Sequence, residues 1–188
     1  KTGRWRPTTS SGIFFPCFSF SKKGFNVDSY GTNSVIKMPG PTADRPNSYP
    51  FGTTYEAIYQ DLLKKDANLY AQNGMLMILE RNRKIKAAPQ RFQETQEMYN
   101  VIVTCEQRCF DIVCEDLMER GCRFNRPVHV INFDIRDTPD DATVGARSIL
   151  QLLQQIQECD DIDGKIEGII GEYREKAGHQ LCYAVHFY

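Results

Sequence analysis

"VIVTCEQRCFDIVCEDLMERGCRFNRPVHVINFD", Val101 to Asp134, is the stretch on which the fold turns. Val101 to Cys105 is a short unbroken apolar run, the pattern of a strand buried on both faces of a parallel sheet. Phe110, Val113, Cys114, Leu117 and Met118 then recur at helical spacing, and Gly121 stops them. Pro127 introduces a second apolar run that ends on Asp134. Strands separated by a helix in this way predict an open, mostly parallel sheet of the doubly wound α/β class, covered on both faces. Ligands of such sheets sit beyond the carboxyl ends of the strands. That rule points at Asp134 and at whatever follows it.

The pattern continues outward in both directions. Downstream, Val144, Ile149, Leu152, Leu153 and Ile156 form the inward stripe of a helix expected from about Asp141. Ile162, Ile166, Ile169, Ile170 and Tyr173 form another, ended by Gly178, and "LCYAVHFY" alternates Leu181, Tyr183, Val185 and Phe187 as a terminal strand. Upstream, Tyr55, Ile58, Tyr59, Leu62, Leu63, Leu69 and Tyr70 mark a strong helix, with Thr53 and Glu56 as its capping box. Asn73-Gly74 ends it, and a second helical run from Met75 closes on the basic "RNRKIK", read as a solvated helix end. "GFNVDSYGT", Gly24 to Thr32, reads as one short strand with a turn at Gly31. Lys37 to Pro41 ("KMPGP") and Asp44 to Phe51 read as a long loop, broken by prolines.

A chain of 188 residues with 41% hydrophobic and 25% charged content is sized for a single globular core. A net charge of −1 argues against a protein that grips nucleic-acid phosphates with its whole surface. No apolar run approaches the roughly 20 residues of a membrane span. Seven cysteines, odd in number and without a repeated spacing, fit a reducing compartment, cytosol or nucleus. Cys105, Cys109 and Cys114 lack the paired spacing of zinc sites and are expected to be buried small hydrophobes. His129, inside an apolar strand, is expected to be a packed core histidine; His179 and His186 have no obvious partner.

"FDIRD" places Asp134 and Asp137 just past a buried strand. A carboxylate there can serve as a general acid, a metal ligand or a phosphate acceptor. The alternative is helix capping, since Asp137, Thr138, Asp140 and Asp141 all suit the start of the next helix; that is the plainer reading for Asp137, Asp140 and Asp141, and for Asp134 both readings stay open.

From Ser21 to Tyr188 the chain resembles one family closely: the RNA polymerase II carboxy-terminal-domain phosphatases of the 3′-end processing machinery, relatives of the low-molecular-weight tyrosine phosphatases. The resemblance rests on "SKKGFNVDSYGT", "VIKMPGP", "RPNSYPFGTTYEAIYQDLLKKD", "YAQNGMLMILERNRKIK", "PQRFQ", "VIVTCEQR", "PVHVINFDIRD" and the closing "HFY". It implies cysteine-based removal of phosphate from phosphoserine, the following proline being cis, without a metal or cofactor. It also implies a nuclear setting, the polymerase's C-terminal repeat as substrate, and docking on a symplekin-type scaffold of the cleavage and polyadenylation complex. By position Asp134 carries the general-acid role, with Asp137 the competing candidate, and Lys37, Met38, Pro39 and Gly40 resemble the substrate-facing loop.

One element of the family is missing. Its nucleophile loop, C-x-x-x-x-x-R-S, belongs between the first strand and the first helix, where this chain has "KTGRWRPTTSSGIFFPCFSF", Lys1 to Phe20. Cys17 precedes Lys23 by the right interval, but lysine lacks the planar fork of arginine, so Cys17 is rejected as nucleophile. The codons of "KTGRWRPTT", read one register over, can encode Q-N-R-S-M-E-A-H-N, the end of that loop and the start of its helix. Residues 10–20 are rich in phenylalanine, serine, proline and cysteine, whose codons can all be pyrimidine-rich, as at the end of an intron. Residues 1–20 are therefore expected to be an aberrant segment ahead of a phosphatase-like domain at 21–188. The first strand is expected to be missing, and the polypeptide as written to be poorly stable and inactive. A protein kept as an inactive scaffold is the alternative; a receiver-like or nucleotide-binding domain is a third reading that explains none of the family strings. Sequencing the spliced message tests the register reading: the shifted frame is expected, and this stretch in an abundant mature transcript would overturn it.

Overall fold

The computed structural model describes residues 4–9, 24–42, 44–136, 138–177 and 181–188. Its elements in chain order are β1 (Arg4–Thr9), β2 (Asn26–Val27), β3 (Tyr30–Gly31), β4 (Ile36–Met38), β5 (Asn47–Tyr49), α1 (Tyr55–Gln72), α2 (Met75–Arg83), β6 (Val101–Thr104), α3 (Gln107–Arg120), β7 (Pro127–Phe133), α4 (Pro139–Gln157), α5 (Ile162–Ala177) and β8 (Leu181–Phe187). A short 3-10 turn, Phe92–Glu94, precedes β6. The main sheet runs β2-β1-β6-β7-β8, with β3 continuing the outer edge of β1. All of its pairings are parallel except β7 with β8. The doubly wound, mostly parallel α/β class is as expected.

The expectation of a missing first strand is corrected. Arg4–Thr9 fills that place, with Trp5 to Thr8 opposite Val101 to Thr104. The argument for poor stability that rested on an empty slot falls with it. A ladder needs extended backbone rather than a particular side chain, so a stretch with little strand alternation can still occupy it. "GIFFPCFSF", the stretch judged unfit for this place because of Pro16, lies outside the described residues.

The cost of the substitute shows on its outer side. Arg4 and Trp5 pair with Asn26 and Val27, and Thr8 and Thr9 pair with Tyr30 and Gly31, all in one register. Pairing lapses between them, at the level of Pro7, which has no N–H to donate. This is why the single strand read at Gly24 to Thr32 is two pieces, and Gly31 belongs to the second rather than to a turn.

Apolar residues on the two faces of the sheet feed two cores. On one face Val101, Val103, Ile131 and Phe133 pack with Ile149, Leu152, Leu153 and Ile156 of α4 and with Ile166 and Ile170 of α5. On the other, Ile102, Val128 and Val130 pack with Val113 and Leu117 of α3, Phe92 and Tyr99. Each such side chain removed from water contributes about 1.5–3 kcal/mol before entropy is charged. β6 is buried at all four positions and β7 at six of seven. Val144, expected to face inward on α4, is 56% exposed.

Residues 36–79 build a third core of their own. Ile36 and Met38 of β4 pack with Ile58, Leu62 and Tyr70 of α1 and Leu79 of α2. The long loop read at Lys37 to Pro41 and Asp44 to Phe51 is thus an antiparallel hairpin, Ile36–Met38 against Asn47–Tyr49. Too few alternating residues flank its prolines for sequence to show it. The N-cap of α1 is Thr54, whose hydroxyl accepts from Ala57 N at 3.1 Å, while Thr53 bonds back to Pro50 O. Glu56 accepts instead from Gln60 and Arg83, so no capping box forms with Thr53. Inside α1, Asp66 leaves helical geometry and its carboxylate caps Leu69 N at 2.9 Å, dividing the predicted strong helix at a kink.

Near the carboxyl ends of β6 and β7, the Thr104 hydroxyl donates to Asn132 Oδ1 at 2.7 Å in full burial. Thr104→Val is isosteric and strips that acceptor of its donor, so it is expected to cost about 1–3 kcal/mol in urea unfolding. Asn132→Leu added to it should cost less than the two singles summed; simple additivity would show the pair to be uncoupled.

Candidate active site

The sheet register sets the site. Thr9, Thr104 and Phe133 end three adjacent parallel strands at one level, since Thr8 faces Thr104 and Thr104 faces Asn132. After β1 the chain goes to β2 and β3 on one side and later crosses to β6 on the other. The crevice between the ends of β1 and β6 is therefore the topological switch point, the usual ligand position in such folds. The segment that follows Thr9 lies outside the described residues.

Asp134 is exposed at the end of β7 and lines a cleft of about 370 Å³ with Phe133, Ile135, Arg136, Asp141, Val144 and Ser148. Two features fix its loop. Ile135 N donates to Cys105 O at 3.0 Å, tying the end of β7 to the end of β6. Thr138 caps α4: its hydroxyl accepts from Asp141 N at 3.2 Å and donates to Asp141 Oδ2 at 2.8 Å. Thr138, one of the residues that sequence offered as a helix start, is thus the cap, Asp141 is its partner in the first turn, and α4 begins at Pro139 rather than near Asp141. Asp137, the competing acid candidate, lies outside the described residues.

Lys37, Met38, Pro39 and Gly40 are on the hairpin unit, and none of them lines the Asp134 cleft. Lys37 and Pro39 are exposed, but Met38 is 2% exposed and points into the third core, so it supports the turn from beneath. Asn47 Nδ2 holds the turn by donating to Pro39 O at 2.9 Å and to Tyr70 Oη at 2.8 Å; its Oδ1 accepts from Lys65. At Gly40 a Cβ would fall 1.7 Å from Arg45 O, so the hairpin closes only over glycine. The hairpin leaves the sheet after β3, opposite Thr9, and thus from the same end as Asp134.

The remaining candidates resolve as packing. Cys105 and Cys109 are buried, and Cys109 Sγ lies 3.5 Å from Thr32 Oγ1. Among the described residues no cluster of three or more His, Cys, Asp or Glu could hold a metal ion. His129 is a buried core histidine, bonded through Nδ1 to Tyr183 Oη and through Nε2 to Asp163 Oδ1, both at 2.9 Å. His186 is half-buried, and burial holds its ring below the ordinary imidazole range. His179 is outside the described residues. "RNRKIK" is spent on structure: Arg83 pairs with Glu56, and Lys86 donates to Ser29 O.

One spacing was missed in the sequence: Cys114 and Arg120 satisfy C-x-x-x-x-x-R. The structure disposes of it. Both lie on α3, where six residues climb about 9 Å along a straight axis and cannot wrap a phosphate. Arg120 is already engaged by Asp116, Thr95 O and Phe92 O at 2.7–2.9 Å and stacks on the Phe92 ring. Burial, with Asp111 adding to it, pushes the Cys114 thiol up to about 11, opposite to what a nucleophile needs.

The comparisons with known proteins agree with this geometry. The model of the family described as Ssu72-like protein matches residues 18–188. The chain belongs to the Ssu72-like family. It is 46% identical over 168 residues to the human RNA polymerase II C-terminal domain phosphatase SSU72, covering 89% of this chain and 87% of the relative. The fission-yeast (Schizosaccharomyces pombe) protein of the same description is 42% identical over 167 residues, covering 88% of this chain and 85% of its own. A crystal structure of Drosophila melanogaster Ssu72 with symplekin, bound to a cis peptidomimetic phosphoserine peptide of the polymerase C-terminal domain, superposes with a TM-score of 0.95. It is 39% identical and covers 100% of this chain and 99% of that one. A second Drosophila structure, described as the serine phosphatase of the RNA polymerase II C-terminal domain, gives the same TM-score at 41% identity, covering 99% of this chain and 100% of that one. An Ssu72-like chain is a protein phosphatase by family, and its curated relatives bear that name.

A thiol titrating near 11 is deprotonated in only about one molecule in a thousand at pH 8. Cys114 is therefore expected to resist iodoacetamide at pH 8, while the exposed Cys122 and Cys182 are modified first. Its rate should climb only as pH approaches 11. Peptide mapping of the alkylated protein reads this, and early labelling of Cys114 would contradict it.

Proposed function

We propose that this chain is the scaffold of a phosphoserine-proline phosphatase for the RNA polymerase II C-terminal repeat, lacking its nucleophile and therefore inactive as written. In the intact reaction a cysteine thiolate attacks phosphorus and expels the serine oxygen, which an aspartate protonates; water then hydrolyses the cysteinyl phosphate. Asp134 is the acid we assign, with Asp137 the alternative. Lys37, Pro39 and Gly40 are assigned to the substrate side, with Met38 as their support.

The observation that carries the reading of inactivity is the cysteine inventory. Of the seven, Cys114 alone has arginine six residues on, and that pair is locked in a helix. No other cysteine of this sequence has the spacing to arginine of the family's nucleophile loop. Residues 1–20 are, in this reading, translated out of register, which accounts for the loss of the loop. Family membership and the symplekin-bound relative support a symplekin-type scaffold as partner, a nuclear location and a role in 3′-end processing and transcription termination. The persistence of the cleft and hairpin favours a second reading, a pseudo-phosphatase that binds the phosphorylated repeat without turning it over.

Purified protein incubated with a phosphoserine-proline repeat peptide is expected to release no inorganic phosphate above the blank. The same chain with the family's first strand and nucleophile loop restored at residues 1–20 is expected to release it. In that restored chain, D134N and D137N separate the two acids: the true one loses about 10²–10⁴-fold in kcat. Phosphate release by the unrestored chain would sink the proposal.

A further inference from the structure

Gly145 is buried on α4 where the helix passes beneath the loop after β7. A Cβ built there would lie 2.3 Å from Ile135 Cδ1, 2.8 Å from Cγ1 and 3.1 Å from Cγ2. The whole branched side chain of Ile135 thus occupies the space that any larger residue at 145 would need. Rotation of one methyl cannot relieve three such contacts, because a β-branched side chain is stiff at its first torsion. The backbone at Gly145 is ordinary helix, with no positive φ to call for glycine. Glycine inside a helix weakens it relative to alanine, so its presence here answers to packing rather than to conformation.

Ile135 is the residue between Asp134 and Arg136, and its grip is double. Its side chain packs into the notch at Gly145 and onto the core beneath the sheet. Its N–H donates to Cys105 O, at the end of the neighbouring strand. Asp134, immediately before it, is exposed and lines the cleft together with Gly145 itself. A carboxylate on a strand end has no rigid support of its own; here the next residue is pinned from two directions.

We propose that Ile135 and Gly145 are the positioning pair of this site: the glycine notch on α4 seats Ile135, and that seat sets where the flanking carboxylate points in the cleft. The role rests on reading this cleft as the leaving-group side of the phosphatase site. It holds whether the acid is Asp134 or Asp137, because Ile135 lies between them.

The test uses the full chain and three variants: G145A, I135A and G145A/I135A. Amide hydrogen exchange is read at Ile135 against Val130 and Ile131 in β7, and affinity is measured for a phosphoserine-proline repeat peptide. G145A is expected to speed exchange at Ile135 about tenfold, with Val130 and Ile131 unmoved and the thermal midpoint held or raised. I135A, which removes the side chain without adding bulk, should weaken peptide binding and loosen the same amide. In the double variant the new methyl enters the vacated space, and most of the protection and affinity should return. Unchanged exchange at Ile135 in G145A overturns the proposal, as does a double variant no better than either single. Peptide affinity unmoved by G145A also overturns the positioning role. Should the unaltered chain bind no peptide, the pseudo-phosphatase reading fails, affinity is read instead in the chain with the loop restored, and the exchange pattern still decides the notch.

Discussion

The four-residue strand Val101–Thr104 is hydrogen-bonded on both sides, and that double ladder is what the rest of the molecule hangs on. β1 lies along one flank and β7 along the other. Both faces of the strand are also covered, Val101 and Val103 by α4 and α5, Ile102 by α3. No polar backbone group in it can turn to water, so each needs a strand beside it. The demand is for backbone, and Arg4–Thr9 meets it despite a sequence with a proline in the middle. The lapse in the outer ladder opposite Arg6–Pro7 is the mark left by that compromise.

The same ladder assembles the cleft. Parallel strands end together, so the segments after Thr9, Thr104 and Phe133 meet at one edge of the sheet. Cys105 at the end of β6 accepts the Ile135 N–H, and α4 closes from below. The β4–β5 hairpin enters from the outer flank with its own core and its own polar support, Asn47 between Pro39 O, Tyr70 and Lys65. The thiol mechanism proposed above would need its nucleophile near the switch point, beside this cleft.

Periodicity made most of this visible beforehand. The runs at Val101 and Pro127 named the parallel strands because buried strands carry apolar residues at every position. α3, α4 and α5 were legible from their stripes. The β4–β5 hairpin was not, because its three-residue strands are too short to alternate and its prolines read as loop. β1 was not, because a central strand can be held by its neighbours' ladders with no pattern of its own. Near the cleft, the place of Asp134 followed from the rule about strand ends, and the cap at Thr138 from residue type. Gly145 was beyond such reading, because it matters only through what packs above it; the Cys114–Arg120 spacing was legible but overlooked, and the helical stripe through Cys114 already disarms it.

The seating of Arg4–Thr9 against β6 is the claim on which fold and cleft both stand. Native-state amide exchange across Val101–Thr104 tests it most directly. If β1 is in place, these amides are all protected to the level of Val128–Ile131 in β7, since β6 is then an interior strand. Alternate amides of Val101–Thr104 exchanging as fast as those of an open sheet edge would show the slot to be unfilled and would contradict the account.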